Sequence, residues 1–157
     1  MLGKTYESEV CSAARALELV GERWSLLIIR NALFAGSTRF NDFRRLGIAT
    51  NILKNRLDGF VDADIMQRRT YSRNPEHYDY LLTDKGRELA PVIVALTEWG
   101  DRWAAPDGPP VLYAHCVCGG RITQQTTCAN CGQVHDPAEV EARPGPGMPA
   151  EIAARMA

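Results

Sequence analysis

Residues 115–132 read HCVCGGRITQQTTCANCG, and two halves of this run align: His115-x-x-Cys118-Gly and Cys128-x-x-Cys131-Gly. Imidazole nitrogen and thiolate sulfur are ligands that zinc favours, and a two-residue spacing lets one backbone turn present both to the same ion. The glycine after each pair lets the chain turn beneath the metal. His115, Cys118, Cys128 and Cys131 are therefore expected to hold one structural zinc ion in a small ribbon, with no open position for a reactive water. Cys116 is the alternative ligand to His115. A disulfide between Cys116 and Cys118, or between Cys128 and Cys131, is the competing chemistry. A thiol-disulfide enzyme is not expected, because a redox CxxC belongs at a helix start in a βαβ setting and this one is bounded by glycine. His77 and His135 have no nucleophile partner in the sequence and no Gly-rich phosphate loop appears, so the chain does not read as an enzyme.

A second set of residues suits DNA. In the run TNILKNRLDGFVD, Leu53, Leu57, Phe60 and Val61 fall at the spacing of a buried helical stripe. That leaves Asn51 and Asn55 on the outer face, flanked by Thr50, Lys54 and Arg56. Asn can bond adenine edges bidentately, Lys and Arg can reach guanine or phosphate, and Thr can contact either, so this face fits a major groove. Asp58 and Asp62 would repel phosphate, which assigns contact to the N-terminal half of the helix. Arg68, Arg69 and Arg73 follow on a predicted hairpin, where a wing would meet backbone phosphates or a minor groove. Arg39 opens the segment. From residue 39 to 73 there are eight Lys or Arg against four Asp or Glu, in a chain of net charge -1. Positive charge is thus concentrated here, as an electrostatic footprint for nucleic acid requires. An ordinary solvated helix face, or a winged helix that binds protein, is the alternative.

The elements that must position these groups follow from periodicity. Phe40, Phe43 and Leu46 line one face of a short helix, Gly47 supplies a tight turn, and the second helix covers Thr50–Asp62. Residues 66–72 and 77–82 are strand-like runs separated by Arg73-Asn74-Pro75-Glu76. Upstream, a helix over 11–20 turns Ala14, Leu17 and Val20 inward and ends at Gly21. The next, over 22–34, is apolar nearly all round and must be central. Thr83 and Asp84 read as a helix start. The helix beyond carries Leu89, Val92, Ile93, Leu96, Trp99 and Trp103 at near-heptad spacing, with Pro91 bending it or marking a restart. Two tryptophans at the end of that stripe exceed what a small core needs, so part of it is expected at a homodimer interface, with packing within one chain as the alternative. Trp24, Tyr80, Trp99 and Trp103 are the candidates to line a small-molecule effector pocket, with ordinary core packing again the alternative.

Length and composition are those of one good core with a small appendage: 157 residues, 45% hydrophobic and 24% charged. The fold class expected is mainly α with a β-hairpin wing, a winged helix-turn-helix, plus a small zinc-ribbon-like unit. The boundaries expected are a flexible stretch over 1–10, the DNA-binding and dimerisation domain over 11–103, a linker over 104–110, the small unit over 111–142, and a tail over 143–157. No apolar run approaches a membrane span and no signal-peptide h-region opens the chain. Five cysteines, four of them crowded, argue for metal or redox chemistry in a reducing compartment, so the cytoplasm is the expected location.

The order of Cys11, then ELVGERWSLLIIRNALFAGSTRFNDFRRL, GIATNILKNRL, HYDYLLTDKGREL and ALTEWG resembles the HxlR family of bacterial transcription regulators, relatives of the MarR group. The resemblance covers about residues 11–103. It implies a homodimeric winged-helix regulator of transcription, usually a repressor, responding to a small molecule or to thiol oxidation. Its dimer would be built from N- and C-terminal helices, with the second helix of the helix-turn-helix in the major groove of an inverted-repeat operator. Cys11 sits where some family members keep a redox-sensing thiol, while a small buried residue is the structural alternative. Two departures stand out. Ala49 replaces a Ser that usually caps the recognition helix, leaving that cap weaker or taken over by Thr50. Asp64 stands where a Gly would take the left-handed conformation.

Overall fold

The computed structural model describes residues 5–7, 9–134 and 136–155. The expectations for residues 1–4 and 8, for His135 and for the last two residues of the tail lie outside these. The chain divides into two compact units, Met1–Ile122 and Thr123–Ala157. That division falls inside the stretch 111–142 that the sequence groups as one small unit.

In the first unit, α1 (Ser12–Val20) buries Ala14 and Val20 but leaves Leu17 exposed, in contrast to the inward Leu17 expected. Gly21 ends it without a left-handed turn. A Cβ there would lie 2.5 Å from the Leu17 carbonyl oxygen, so close approach and not backbone handedness requires the glycine. Helix α2 (Ser25–Phe34) starts three residues later than its apolar run suggests, because Glu22 to Trp24 form the turn into it. Ile28 and Ile29 are fully buried, and Trp24 and Leu33 pack partly buried against the core, as expected of a central helix. Leu27 and Phe34 remain exposed, so the cover is incomplete on one face.

Helix α3 (Phe40–Arg44) is held by Asp42, whose carboxylate accepts from the backbone N–H groups of Arg39 at 3.0 Å and Thr38 at 3.3 Å. Those donations hold the Asp42 carboxyl below its ordinary value, the Arg39 amide contributing most. Gly47 takes a φ of 76°, which a side-chain-bearing residue adopts only with strain, and the chain enters α4 (Thr50–Asp62). Ala49 occupies the N-cap with no side-chain hydrogen bond, so Thr50 does not take over the cap. Leu53, Leu57 and Phe60 anchor α4 in one cluster with Val20, Ile28, Ile29 and Phe43. Burying side chains of this kind contributes roughly 1.5–3 kcal/mol each.

Asp64 follows with a φ of 54°, the left-handed conformation expected for it. The wing is an antiparallel pair, β1 (Met66–Arg73) and β2 (Glu76–Leu82), in a register that sets Arg68 opposite Tyr80 and Arg69 opposite Asp79, with an irregularity between Thr70 and Ser72. Arg39 bridges Asp79 on the far side of β2, and the Tyr80 N–H donates to the Thr38 carbonyl at 2.7 Å. The wing is therefore stitched to the entry of α3.

Thr83 caps α5 (Asp84–Arg87) by accepting from the Gly86 N–H at 3.2 Å. Pro91 then lies in the first turn of a new helix, α6 (Ala90–Trp103), where its missing N–H costs little. Of the two options for Pro91, the restart is realised. Ile93 and Val94 face the core, while Val92, Leu96, Trp99 and Trp103 form an exposed row. Past α6, the Tyr113 ring packs at a tilt against Phe34 with ring centroids 4.4 Å apart, and Arg121 lies 3.9 Å from the Asp101 carboxylate.

The second unit is small. Its strands β3 (Thr127–Cys128) and β4 (Gly132–Gln133) pair antiparallel, and a short helix α7 (Ala150–Ala153) falls in the tail. Between the two cysteine-bearing turns, residues 123–126 form no regular element. No described helix is long and apolar enough to cross a membrane.

Candidate nucleic-acid interface

The exposed face of α4 carries Thr50, Asn51, Lys54 and Asn55, all open to solvent. Asn51 and Asn55 lie one turn apart, which places both amides along the same edge of the helix. Arg68, Arg69 and Arg73 project from β1 and are exposed, as is Arg39 ahead of α3. Arg56 is different. Its side chain is only 26% exposed and pairs with Glu22 at 2.7 Å, on the flank of α4 that faces the turn between α1 and α2. Of the cations the sequence assigns to this face, Arg56 alone is turned to another use.

Two carboxylates organise the remaining cations. Asp58 accepts from Lys54 at 2.7 Å and is also bonded by Arg68. Asp79, almost buried, accepts from Arg69 on Oδ2 at 2.9 Å and from the Thr38 hydroxyl on Oδ1 at 3.3 Å, and Arg39 Nε lies 3.6 Å from that same Oδ1. Both carboxyls sit below the ordinary value, Asp58 chiefly through the hydrogen bond from Lys54 and Asp79 chiefly through that from Arg69. Each remains an anion at neutral pH beside its cations. Tyr71 adds an aromatic surface. The Arg39 guanidinium lies 4.5 Å from its ring centre, and His77 stacks on it at 5.7 Å and 17°. Sequence reasoning missed Asp79, Tyr71 and His77 as parts of this surface. The alternation of β2 was the available signal, since it puts Asp79 across from Arg69.

The four effector-pocket candidates are not brought together. Tyr80 is buried under the Arg68 guanidinium and lines a cleft of about 490 Å³ between α3 and the wing. A second cleft, of about 470 Å³, lies between α1 and α4 and is lined by Leu17, Glu22, Asn55 and Arg56 among others. Neither is lined by Trp24, Trp99 or Trp103. Trp24 packs at the core edge with Arg23 over its ring at 5.1 Å, and Trp99 and Trp103 are 61% and 69% exposed on α6. Cys11 is exposed at the N-cap of α1, and its carbonyl accepts from the Arg15 N–H.

The two cysteine-bearing turns are each well formed by themselves. In the first unit, His115 Nδ1 lies 3.2 Å from Cys118 Sγ, the Gly119 N–H donates to the His115 carbonyl at 2.7 Å, and Gly119 has a φ of 71°. Cys118 thus has His115 as a neighbour. In the second unit, Cys128 sulfur accepts from the backbone N–H groups of Cys131 and Asn130, which lower its thiol pKa, and Gly132 has a φ of 98°. Amides pointing at sulfur and a left-handed glycine after Cys131 are features that suit thiolate coordination. All five cysteines are free, and among the described residues no three His, Cys, Asp or Glu side chains form a ready-made metal cluster.

The chain is similar to known transcriptional regulators. An uncharacterized HTH-type transcriptional regulator of Mycobacterium tuberculosis is 42% identical over 154 residues, covering 97% of this chain and 96% of its own. The crystal structure of PA1607 superposes with a TM-score of 0.76 at 34% identity, covering 87% of this chain and 96% of that one. The redox regulator HypR in its reduced form superposes with a TM-score of 0.54 at 29% identity, covering 59% of this chain and 92% of its own. The profile of the HxlR-like helix-turn-helix family matches residues 19–108. With a recognition-type helix and a basic wing on one exposed surface, the chain belongs to the HxlR-like helix-turn-helix family of transcriptional regulators.

Proposed function

We propose that the protein is a homodimeric repressor that lays the N-terminal half of α4 in the major groove and the β1 arginines against the flanking backbone. The observation that carries this reading is the exposed array of Asn51, Asn55, Lys54, Arg68, Arg69 and Arg73 in a chain whose net charge is -1. The exposed row Val92, Leu96, Trp99 and Trp103 on α6 supplies the dimer contact, since large aromatics are favoured anchors at interfaces. Two subunits then read half-sites about 34 Å apart on an inverted-repeat operator. The input is oxidation of Cys11, which is exposed as such a thiol must be, and HypR, a structural relative, is itself a redox regulator. A small-molecule effector is the other input this architecture admits.

A structural zinc ion belongs to the same reading. His115, Cys118, Cys128 and Cys131 would hold it, and the amide-rich turns described above support thiolate ligands. Its contribution would be stability of the C-terminal extension, with no step in DNA recognition assigned to it.

Fluorescence anisotropy with the duplex upstream of the protein's own gene, against a scrambled duplex and over a salt series, tests the proposal. Preferential binding that weakens steeply with salt is expected. Equal binding to both duplexes would favour a protein partner for the winged helix.

A further inference from the structure

Four cations of the interface are paired in the absence of DNA, and their partners follow a pattern. Asp58 holds Lys54 from α4 together with Arg68 from β1. Asp79 holds Arg39 from the entry of α3 together with Arg69 from β1. Each carboxylate therefore clasps one cation of the helix-turn-helix and one of the wing. We propose that Asp58 and Asp79 are positioning residues for DNA recognition, fixing these four cations as one array before a duplex arrives. The inference rests on the DNA-binding reading above.

Long basic side chains lose rotamer freedom when a phosphate or base edge fixes them. A carboxylate that already fixes them removes part of that loss from the binding step, which is the general benefit of preorganisation. Neither clasp uses up its cations. A guanidinium has five N–H donors in a rigid fork and an ammonium has three, so donors remain for the duplex. Lys54 and Arg69 keep 68% and 67% of their side-chain surface exposed while paired. The carboxylates also subtract charge, which lowers the sequence-independent attraction to any duplex. Preorganisation favours the geometry of the right site and so raises discrimination, whereas the lost charge weakens every duplex alike.

Three amide variants of the full chain test this: Asp58→Asn, Asp79→Asn and Asp62→Asn. Asp62 is exposed near the end of α4 and makes no ion pair among the described residues, so it reports the effect of charge alone. Dissociation constants are measured for a duplex selected by the wild-type protein from a random pool and for a scrambled duplex, with thermal unfolding followed in parallel. Asp62→Asn is expected to tighten both duplexes together. Asp58→Asn and Asp79→Asn are expected to tighten the scrambled duplex similarly while lowering the ratio of the two constants by about five-fold or more, the size of coupling usual within an ion-pair network. Asp58→Glu keeps the charge and moves the carboxylate by one methylene, and it too should lower the ratio. Ratios unchanged from Asp62→Asn, in variants that melt within a few degrees of wild type, would overturn the proposal. If a variant unfolds, Asp58→Glu decides the matter alone. Failure of the wild-type protein to select any duplex would overturn the DNA-binding reading itself.

Discussion

Replacing Arg73 and Arg56 separately by alanine should give opposite results, although the two lie in one basic segment. Arg73 is exposed at the end of β1 and makes no ion pair among the described residues, so a phosphate is its expected partner. In a dimer the substitution removes two such contacts, and each contributes about 0.9 to the slope of log K against log salt on B-DNA. The slope should fall by about 1.8, so that between 50 and 200 mM salt the variant loses about 12-fold less affinity than the wild type does. Arg56 points the other way, toward Glu22. Its loss should leave the slope unchanged and lower stability by about 1 kcal/mol or less, since the pair is partly exposed and screened. Anisotropy titrations at four or five salt concentrations, with urea unfolding in parallel, measure both quantities. An unchanged slope for Arg73→Ala, or a slope for Arg56→Ala that falls by a similar amount, would refute the placement of the interface on the face of α4 that bears Asn51.

Gly86→Ala should destabilise the first unit by roughly 1–3 kcal/mol, the usual cost of overpacking, because the added Cβ would lie 2.2 Å from the Ile65 carbonyl oxygen and 2.8 Å from Leu82; a thermal midpoint equal to wild type would count against that packing. Trp99→Ala combined with Trp103→Ala should shift the protein to monomer at micromolar concentration in light scattering, and an unchanged dimer would move the interface elsewhere. Acid titration should show stability that is full above the ordinary carboxyl value of 3.8 and lost as pH falls through the depressed value of Asp79. The Asp79→Asn variant should lack part of that acid loss, which urea midpoints at a few pH values would reveal. Metal analysis should find one zinc per chain, released by chelator and absent from Cys128→Ser. A protein that stays metal-free after incubation with zinc would rule the site out.

The parts of the fold legible in the sequence were those set by local chemistry. The span of α4 follows from a stripe of Leu53, Leu57 and Phe60, the Thr83 cap from a hydroxyl three residues ahead of a free amide, and Asp64 from the tolerance of aspartate for left-handed backbone. What escaped was decided across the chain. Arg56 has the composition of a DNA contact, and only the approach of Glu22 from another helix removes it. Asp79 is signalled locally only as the hairpin partner of Arg69, and the rest of its role depends on Thr38 and Arg39, which reach it from some forty residues away in sequence. Leu17 satisfies the inward periodicity of α1 yet is exposed, because periodicity gives a face and not what covers it.

The ring contact of Tyr113 with Phe34 and the pairing of Arg121 with Asp101 bear on where this chain can be shortened. The family profile ends at residue 108, whereas the first compact unit runs to Ile122. Cutting at the profile boundary would strip an aromatic cover from α2 and a cation from α6, laying bare apolar surface on the scaffold that carries the reading head. A truncation after residue 122 keeps both, and would separate the contribution of the second cysteine turn from that of the helical body.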